Sequence, residues 1–279
     1  MADTALVLGG GGPVGGAWLV GVLAGLAEAG IDLTGADVVI GTSGGAVFGS
    51  RILSGVPAAE LYERQLSGGD AVRLPVTLGQ TARFLWAALG SSDPQRSVRR
   101  LGRAALSART GPESDVLDTV GALLGDIHDW PERELRITAV DALTGEVMAF
   151  DAHSGVRLLE AVAASCAVPV VWPPVTVAGR RWMDGGSRST ANLQLARGHR
   201  RVVAIAPVPH AVGPHPSAAE QAAELSREGA RVVLLSPDRA ARRAMGRNLT
   251  DDGRRPASAR AGHAQATALA APVAEVWYG

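Results

Sequence analysis

The chain has no lysine: all 27 of its basic residues are arginine. That excludes Schiff-base chemistry through a lysine amine and the lysine of a phosphate-binding P-loop. Cysteine is almost as scarce. Cys166 stands alone, so there is no disulfide framework and no cysteine cluster for zinc, which suits a reducing compartment. Net charge is missing too, with 27 basic residues against 27 acidic ones, and no global field draws the chain toward nucleic acid. Long apolar runs are lacking at the start. Met1-Ala2-Asp3-Thr4 has no basic region, and the run that follows breaks at Gly9, too short for a signal core or a membrane span. The expectation is a cytoplasmic protein without export. The sequence has no internal repeat.

What the chain has is glycine, 35 residues of it, and two clusters matter most. Gly9-Gly10-Gly11-Gly12-Pro13-Val14-Gly15-Gly16 and Gly41-Thr42-Ser43-Gly44-Gly45 each stand between a short apolar run and a helix-like run. Ala5–Leu8 and Val38–Ile40 have the length and composition of buried parallel strands, while Val14 to Ala29, stopped by Gly30, and Gly44 to Leu53 have helical spacing. A strand–helix–strand–helix start predicts an α/β fold of three layers, helices on both faces of a mainly parallel sheet. Both turns then lie at the C-terminal strand ends, where such sheets bind ligands.

Further strands are predicted at Leu135–Val140, Glu146–Phe150, Val202–Ala206 and Val232–Leu235, with a short hairpin over Val175–Trp182. Helices are predicted near Val156–Ala164 and Ala218–Glu228. Residues 67–130 lose strand character and read as a helical insertion, with a helix at Thr81–Leu89 and breaks at Pro75, Ser91-Ser92-Asp93-Pro94 and Gly111-Pro112. Residues 238–279 read as helical and Arg-rich. We expect one domain spanning 1–279.

The second turn matches G-x-S-x-G, in which Gly41 and Gly45 let a sharp strand-to-helix turn expose the Ser43 hydroxyl. The same serine would also serve as an ordinary helix cap. A serine nucleophile needs a base and a site for the oxyanion. Unhindered N–H groups of the first turn supply the latter. The histidines His128, His153, His199, His210, His215 and His263 have no local catalytic signature and read as surface or loop residues. Asp184-Gly185-Gly186 places a carboxylate in a tight turn after a strand, as a base or as a plain Asx turn.

These residues resemble the patatin-like phospholipase family, serine hydrolases with a Ser-Asp dyad. The resemblance runs through four blocks in order, over about residues 5–192: Leu6 to Gly15 followed by Gly21-Val22-Leu23; Gly41-Thr42-Ser43-Gly44-Gly45-Ala46; Ala163 to Pro169 with Trp172-Pro173-Pro174-Val175; and Asp184-Gly185-Gly186. It implies Ser43 as nucleophile, Asp184 as base, Gly10, Gly11 and Gly12 as the oxyanion region, and Gly185 and Gly186 as the loop after the base. It further implies a lipid or acyl-ester substrate, with no metal and no cofactor. Pro13-Val14 stands where the family often has a basic residue, Asn192-Leu193-Gln194 replaces its usual Asn-x-Pro, and an extra residue sits near Trp18.

Other readings stay open. Gly10 to Gly15 also fits G-x-G-x-x-G, a phosphate turn of a nucleotide-binding protein, although Asp37 precedes the second strand instead of ending it. A catalytically silent member of the same fold, serving as an interaction module, is the other alternative. Phe84, Leu85, Trp86, Ala88 and Leu89 would line an acyl channel, form a lid, or simply pack the core. Arg239, Arg242, Arg243, Arg247, Arg254 and Arg255 suit peripheral contact with anionic lipid, or a solvated surface given Asp238, Asp251 and Asp252 among them. Cys166 is expected to be a buried packing residue.

Overall fold

The two apolar runs at the start of the chain become the central strands β1 (Thr4–Leu8) and β2 (Val38–Thr42) in a computed structural model that describes residues 3–71 and 76–279. Pro75, read above as a break, lies outside the described residues. Every residue of both strands is buried, as the absence of polar alternation requires. They pair in parallel, Leu6 against Val39 and Leu8 against Gly41, with α1 (Gly12–Glu28) as the crossover. α2 (Gly44–Leu53) follows β2 directly.

Four helices come next: α3 (Ala58–Ser67), α4 (Leu78–Leu89), α5 (Pro94–Leu106) and α6 (Glu113–Leu124). The predicted breaks before α5 and α6 are helix starts. Asp93 accepts a hydrogen bond from the Arg96 N–H at 2.6 Å with Pro94 in the first turn, and Pro112 precedes the first residue of α6. The sheet resumes with β3 (Glu134–Asp141) and β4 (Val147–Phe150), then α7 (Leu158–Cys166), the hairpin β5 (Val175–Val177) and β6 (Arg180–Asp184), β7 (Arg201–Ile205), α8 (Ala218–Arg227) and β8 (Arg231–Leu235). α9 (Arg239–Met245) and α10 (Arg255–Tyr278) end the chain.

The strand order is β5-β6-β3-β2-β1-β7-β8, with β4 pairing β3 off this path. β3, β2, β1, β7 and β8 run parallel, while β6 and β4 are antiparallel to β3. Alternation within the strands builds two cores. Leu6, Leu8 and Val39 pack with α1, α2, α6, α7 and α10 on one face, and Ala5, Val7, Val38 and Ile40 pack with α8 and the 191–196 segment on the other. The three-layer α/β/α arrangement is the expected one. Topology also fixes the site. β1 leads to β2 on one side while β7 leads to β8 on the other, so the strand order reverses between β1 and β7, and the C-terminal end of β1, with its glycine turn, lies at that switch point.

α10 lies against α1 along most of its length, and at Gly21 and Gly262 the approach is so close that a methyl group would overlap the opposite backbone. The Arg-rich C-terminal region is therefore split. Arg255 is buried at the start of α10, whereas Arg239, Arg242, Arg243, Arg247 and Arg254 are exposed.

Candidate active site

Ser43 sits between β2 and α2 with φ 54° and ψ −122°, a strained backbone for a non-glycine residue. The neighbouring glycines permit it. A methyl on Gly41 would stand 2.6 Å from the Ala46 Cα, and one on Gly45 would overlap the Leu8 carbonyl. The turn is also tied from outside: the Ser43 N–H donates to Ser165 Oγ at 2.8 Å, and Ser165 is fully buried near the end of α7. Sequence reading gave Ser165 no role, because its partner lies 122 residues away. Ser165→Ala would leave that N–H buried without an acceptor; we expect a loss of about 1–3 kcal/mol, read by urea denaturation.

The glycine turn reaches the same point. A methyl on Gly10 would lie 3.2 Å from the Ser43 Cβ, and one on Gly44 would lie 3.6 Å from the Gly12 carbonyl oxygen. The three candidate oxyanion residues differ in what their amides do. The Gly10 N–H donates to the Thr190 carbonyl at 2.7 Å, so Gly10 offers close approach and no free donor. Gly11 and Gly12 open α1, where N–H groups have no intrahelical acceptor, and among the described residues neither bonds a backbone carbonyl. A helix N-terminus with free amides beside a hydroxyl suits developing negative charge.

Asp184 ends β6, and sheet register brings it to Ser43. Thr42 pairs Thr138 on β3, and the next residue, Ala139, pairs Asp184. Strands lie about 4.8 Å apart, so the β2 and β6 backbones are about 10 Å apart across β3, a gap that two facing side chains close. The carboxylate accepts from the Gly186 N–H at 2.7 Å. A methyl on Gly185 would crowd Thr138, and one on Gly186 would lie 2.9 Å from Asp184 Oδ1, which sets the two glycines after the aspartate. Burial raises the Asp184 carboxyl to about 6, with the nearby Ser43 hydroxyl and the Gly186 N–H pulling against it.

Asn192, in a left-handed conformation and fully buried, fastens the loop after Asp184. Its Nδ2 donates to the Ser189 carbonyl at 2.7 Å and to Thr42 Oγ1 at 3.1 Å, linking that loop to the strand that ends at the serine. The departure noted at Asn192-Leu193-Gln194 thus keeps its asparagine in a structural post.

A cavity of about 100 Å³ opens at Ser43. Its walls are Val47 and Phe48 of α2, Val116, Val120 and Leu123 of α6, and Val168 and Trp172 after α7. Gly12, Pro13, Gly44, Thr119 and Cys166 complete the lining, together with two charged residues, Asp70 and Arg255. The insertion contributes α6 to the cavity. The stretch considered above does not reach it: Phe84 and Ala87 of α4 pack on Leu101, Ala104 and Val170, while Leu85, Trp86 and Leu89 face outward. Cys166 packs against the main core as expected, but it is partly rather than fully buried and it also lines the cavity. Its thiol stays protonated, because burial and then the Asp184 charge raise its pKa. None of the histidines is among the lining residues, and Asp37 is bound to Thr4 at the opposite edge of the sheet, away from the glycine turn.

Arg255 and Asp70 escaped sequence reading. Arg255 was one arginine in an Arg-rich stretch, with no local sign that its guanidinium would bond Gln65 Oε1 at 2.6 Å across 190 residues.

A family model described as patatin-like phospholipase matches residues 6–197, more than half of the chain. A search of curated proteins finds no match. Among solved structures the chain is similar to VipD from Legionella pneumophila, at 13% identity and a TM-score of 0.50, covering 96% of this chain and 66% of that one. It is also similar to the type III effector protein ExoU, at 16% identity and a TM-score of 0.44, covering 98% of this chain and 54% of that one. The chain therefore spans about two thirds of VipD and about half of ExoU. The likeness to VipD, at that identity, shows a shared fold.

Proposed function

We propose that this chain, which belongs to the patatin-like phospholipase family, a family of lipid acyl hydrolases, cleaves carboxylic esters of lipids through an acyl-enzyme on Ser43 with Asp184 as the base. The observation that supports this most is the pairing of a hydroxyl on a strained turn with a buried carboxyl of pKa about 6, at the mouth of an apolar cavity. In water a carboxylate is too weak a base for serine. Desolvated beside the hydroxyl, it takes the proton as the bond to carbon forms.

Ser43 Oγ attacks the ester carbonyl while its proton passes to Asp184. The oxyanion is held by the N–H groups of Gly11 and Gly12, and the alcohol leaves with the proton from Asp184. Asp184 then takes a proton from water, whose oxygen attacks the acyl-serine; as the acid is released, Asp184 returns that proton to Ser43 Oγ and both groups are restored. Val47, Phe48, Val120 and Leu123 form an apolar wall beside Ser43, suited to the acyl chain. The cycle uses no metal and no cofactor. The chain works as one unit over 1–279, since α10, outside the family match, supplies Arg255 to the cavity.

A fluorophosphonate probe tests the nucleophile: one label per chain, on Ser43, is expected. Failure to label together with no turnover of p-nitrophenyl acyl esters would turn the reading toward a silent interaction module. Graded esters beside phospholipid and lysophospholipid would then order the substrates. Because Asp184 must be ionised to act, kcat/KM should rise with pH through about 6 to a plateau, one proton lost per site. A profile flat from pH 5 to pH 8 would remove Asp184 as the base.

A further inference from the structure

The surface of α4 and α5 is built for something that the cavity does not use. α4 buries Ala87 and Ala88 and turns four large apolar side chains to solvent: Leu78, Leu85, Trp86 and Leu89, exposed by 90%, 43%, 70% and 62%. Scattered apolar residues are ordinary on a surface, but four on one twelve-residue helix form a patch that wants a partner. Beside it lies a concentration of positive charge. Residues 76–109 contain six arginines, Arg83, Arg96, Arg99, Arg100, Arg103 and Arg109, against a single acid, Asp93, in a chain whose total charge is zero. Asp93 is the helix cap of α5.

These arginines are not neutralised. Among the described residues none of them pairs with a carboxylate; their partners are neutral oxygens. Arg83 donates to the Ala104 carbonyl at 3.0 Å and Arg99 to the Thr144 carbonyl at 3.1 Å. The Arg100 guanidinium lies 4.6 Å over the Trp86 ring and its Nε is buried without an acceptor, so cation and aromatic ring are joined at the seam between the two surfaces. Arg96, Arg99, Arg100 and Arg103 surround one recess with Gly90 and Ser91. Apolar side chains flanked by free guanidinium groups are the chemistry of an interfacial helix on phosphate-bearing lipid. A second copy of this chain would bring the same positive charge to the contact, which disfavours self-association there.

The patch is also next to the cavity. Gln80 of α4 donates to the Val170 carbonyl at 3.1 Å, and Phe84 packs on Val170, which lies between the lining residues Val168 and Trp172. We propose that the α4–α5 face docks on anionic lipid bilayers, with Leu78, Leu85, Trp86 and Leu89 entering the boundary between headgroups and acyl chains and Arg96, Arg99, Arg100 and Arg103 on lipid phosphates. Docking holds the rim at Val168–Trp172 against the bilayer. That the bilayer delivers substrate rests on the hydrolase reading above; the docking itself does not.

The test is co-sedimentation of the full chain with phosphatidylcholine vesicles, with and without phosphatidylglycerol, at low and high salt. Binding to the anionic vesicles that weakens with salt is expected. The triple change Arg96→Gln, Arg99→Gln, Arg103→Gln should lower partitioning roughly a hundredfold. Trp86→Ser with Leu89→Ser should lower it at least about tenfold. Thermal melts and turnover of a short soluble ester should match the parent in both variants. Ser43→Ala should bind vesicles as the parent does, so that failure of docking and failure of catalysis are read separately. Equal binding to neutral vesicles, undiminished binding by either variant, or no binding would overturn the proposal. So would self-association of the parent that both variants abolish, since the face would then be a contact between copies.

Discussion

Asp184→Asn is expected to abolish ester turnover and, at neutral pH, to make the protein more stable. The two effects have one cause. At neutral pH the proposed base is a carboxylate held 6% exposed, with a carboxyl pKa raised from 3.8 to about 6. Above pH 6 the folded protein must keep that charge desolvated, whereas the unfolded chain solvates it freely. The folded state binds the proton more tightly, so stability falls as pH rises from about 4 to about 6 and the full deficit is in place above 6. The shift corresponds to about 3 kcal/mol. Asparagine removes the charge, retains an oxygen to accept from the Gly186 N–H, and recovers much of that amount. Without a base, turnover should fall roughly a thousandfold or more. Ser43→Ala should fall at least as far, without the gain in stability. Thermal melts of parent and Asp184→Asn should coincide near pH 4 and separate by neutral pH, with the variant higher. Turnover retained by Asp184→Asn, or lost on changing any one histidine instead, would dismiss the assigned pair.

The legible parts of this fold were those with a local cause. β1, α1, β2 and α2 follow from apolar runs punctuated by glycine, and the Ser43 turn follows from the fact that Gly45 cannot carry a side chain beside the Leu8 carbonyl. The breaks at Ser91–Pro94 and Gly111-Pro112 fall between helices as expected, and each also opens the next helix, because Asp93 caps α5 and Pro suits a helix start. Which part of the insertion would approach the serine depends on packing. α6 reaches it and α4 does not, although both are amphipathic. Cys166 looked like a packing residue because its neighbours are small and apolar, and only the fold shows that this apolar surface is a cavity wall. Ser165 and Arg255 were beyond reach because each acts on a partner remote in sequence, and Asp70 because its cluster is closed by Arg255, 185 residues away.

The same distance makes the Asp70 cluster the place where one change should do most damage to the fold. Its carboxylate accepts from Arg51 Nη1 at 2.8 Å, Gln65 Nε2 at 2.8 Å and Arg64 Nε at 2.9 Å. Gln65 in turn accepts from Arg255, and the Asp70 backbone carbonyl accepts from Arg255 Nη1. α2, α3 and the first turn of α10 are thereby fastened around one negative charge, with Arg51, Asp70 and Arg255 all under 5% exposed. Burial alone would raise the Asp70 pKa, yet its contacts with Arg64 and Arg51 outweigh burial and lower it; burial lowers that of Arg255. Asp70→Ala leaves the buried Arg51 guanidinium without its counter-charge and should cost about 3–5 kcal/mol, read by urea denaturation at neutral pH. The pH dependence runs opposite to that of Asp184. A lowered carboxyl pKa gives stability that is present above 3.8 and is lost as pH falls through the folded value, so the deficit of Asp70→Ala should shrink only in strong acid. One wall of the cavity is thus held by a carboxylate that ionises readily, while the serine faces one that burial keeps reluctant to do so. Equal stability of Asp70→Ala and parent at neutral pH would show that the cluster is not what holds α10, and with it Arg255, against the cavity.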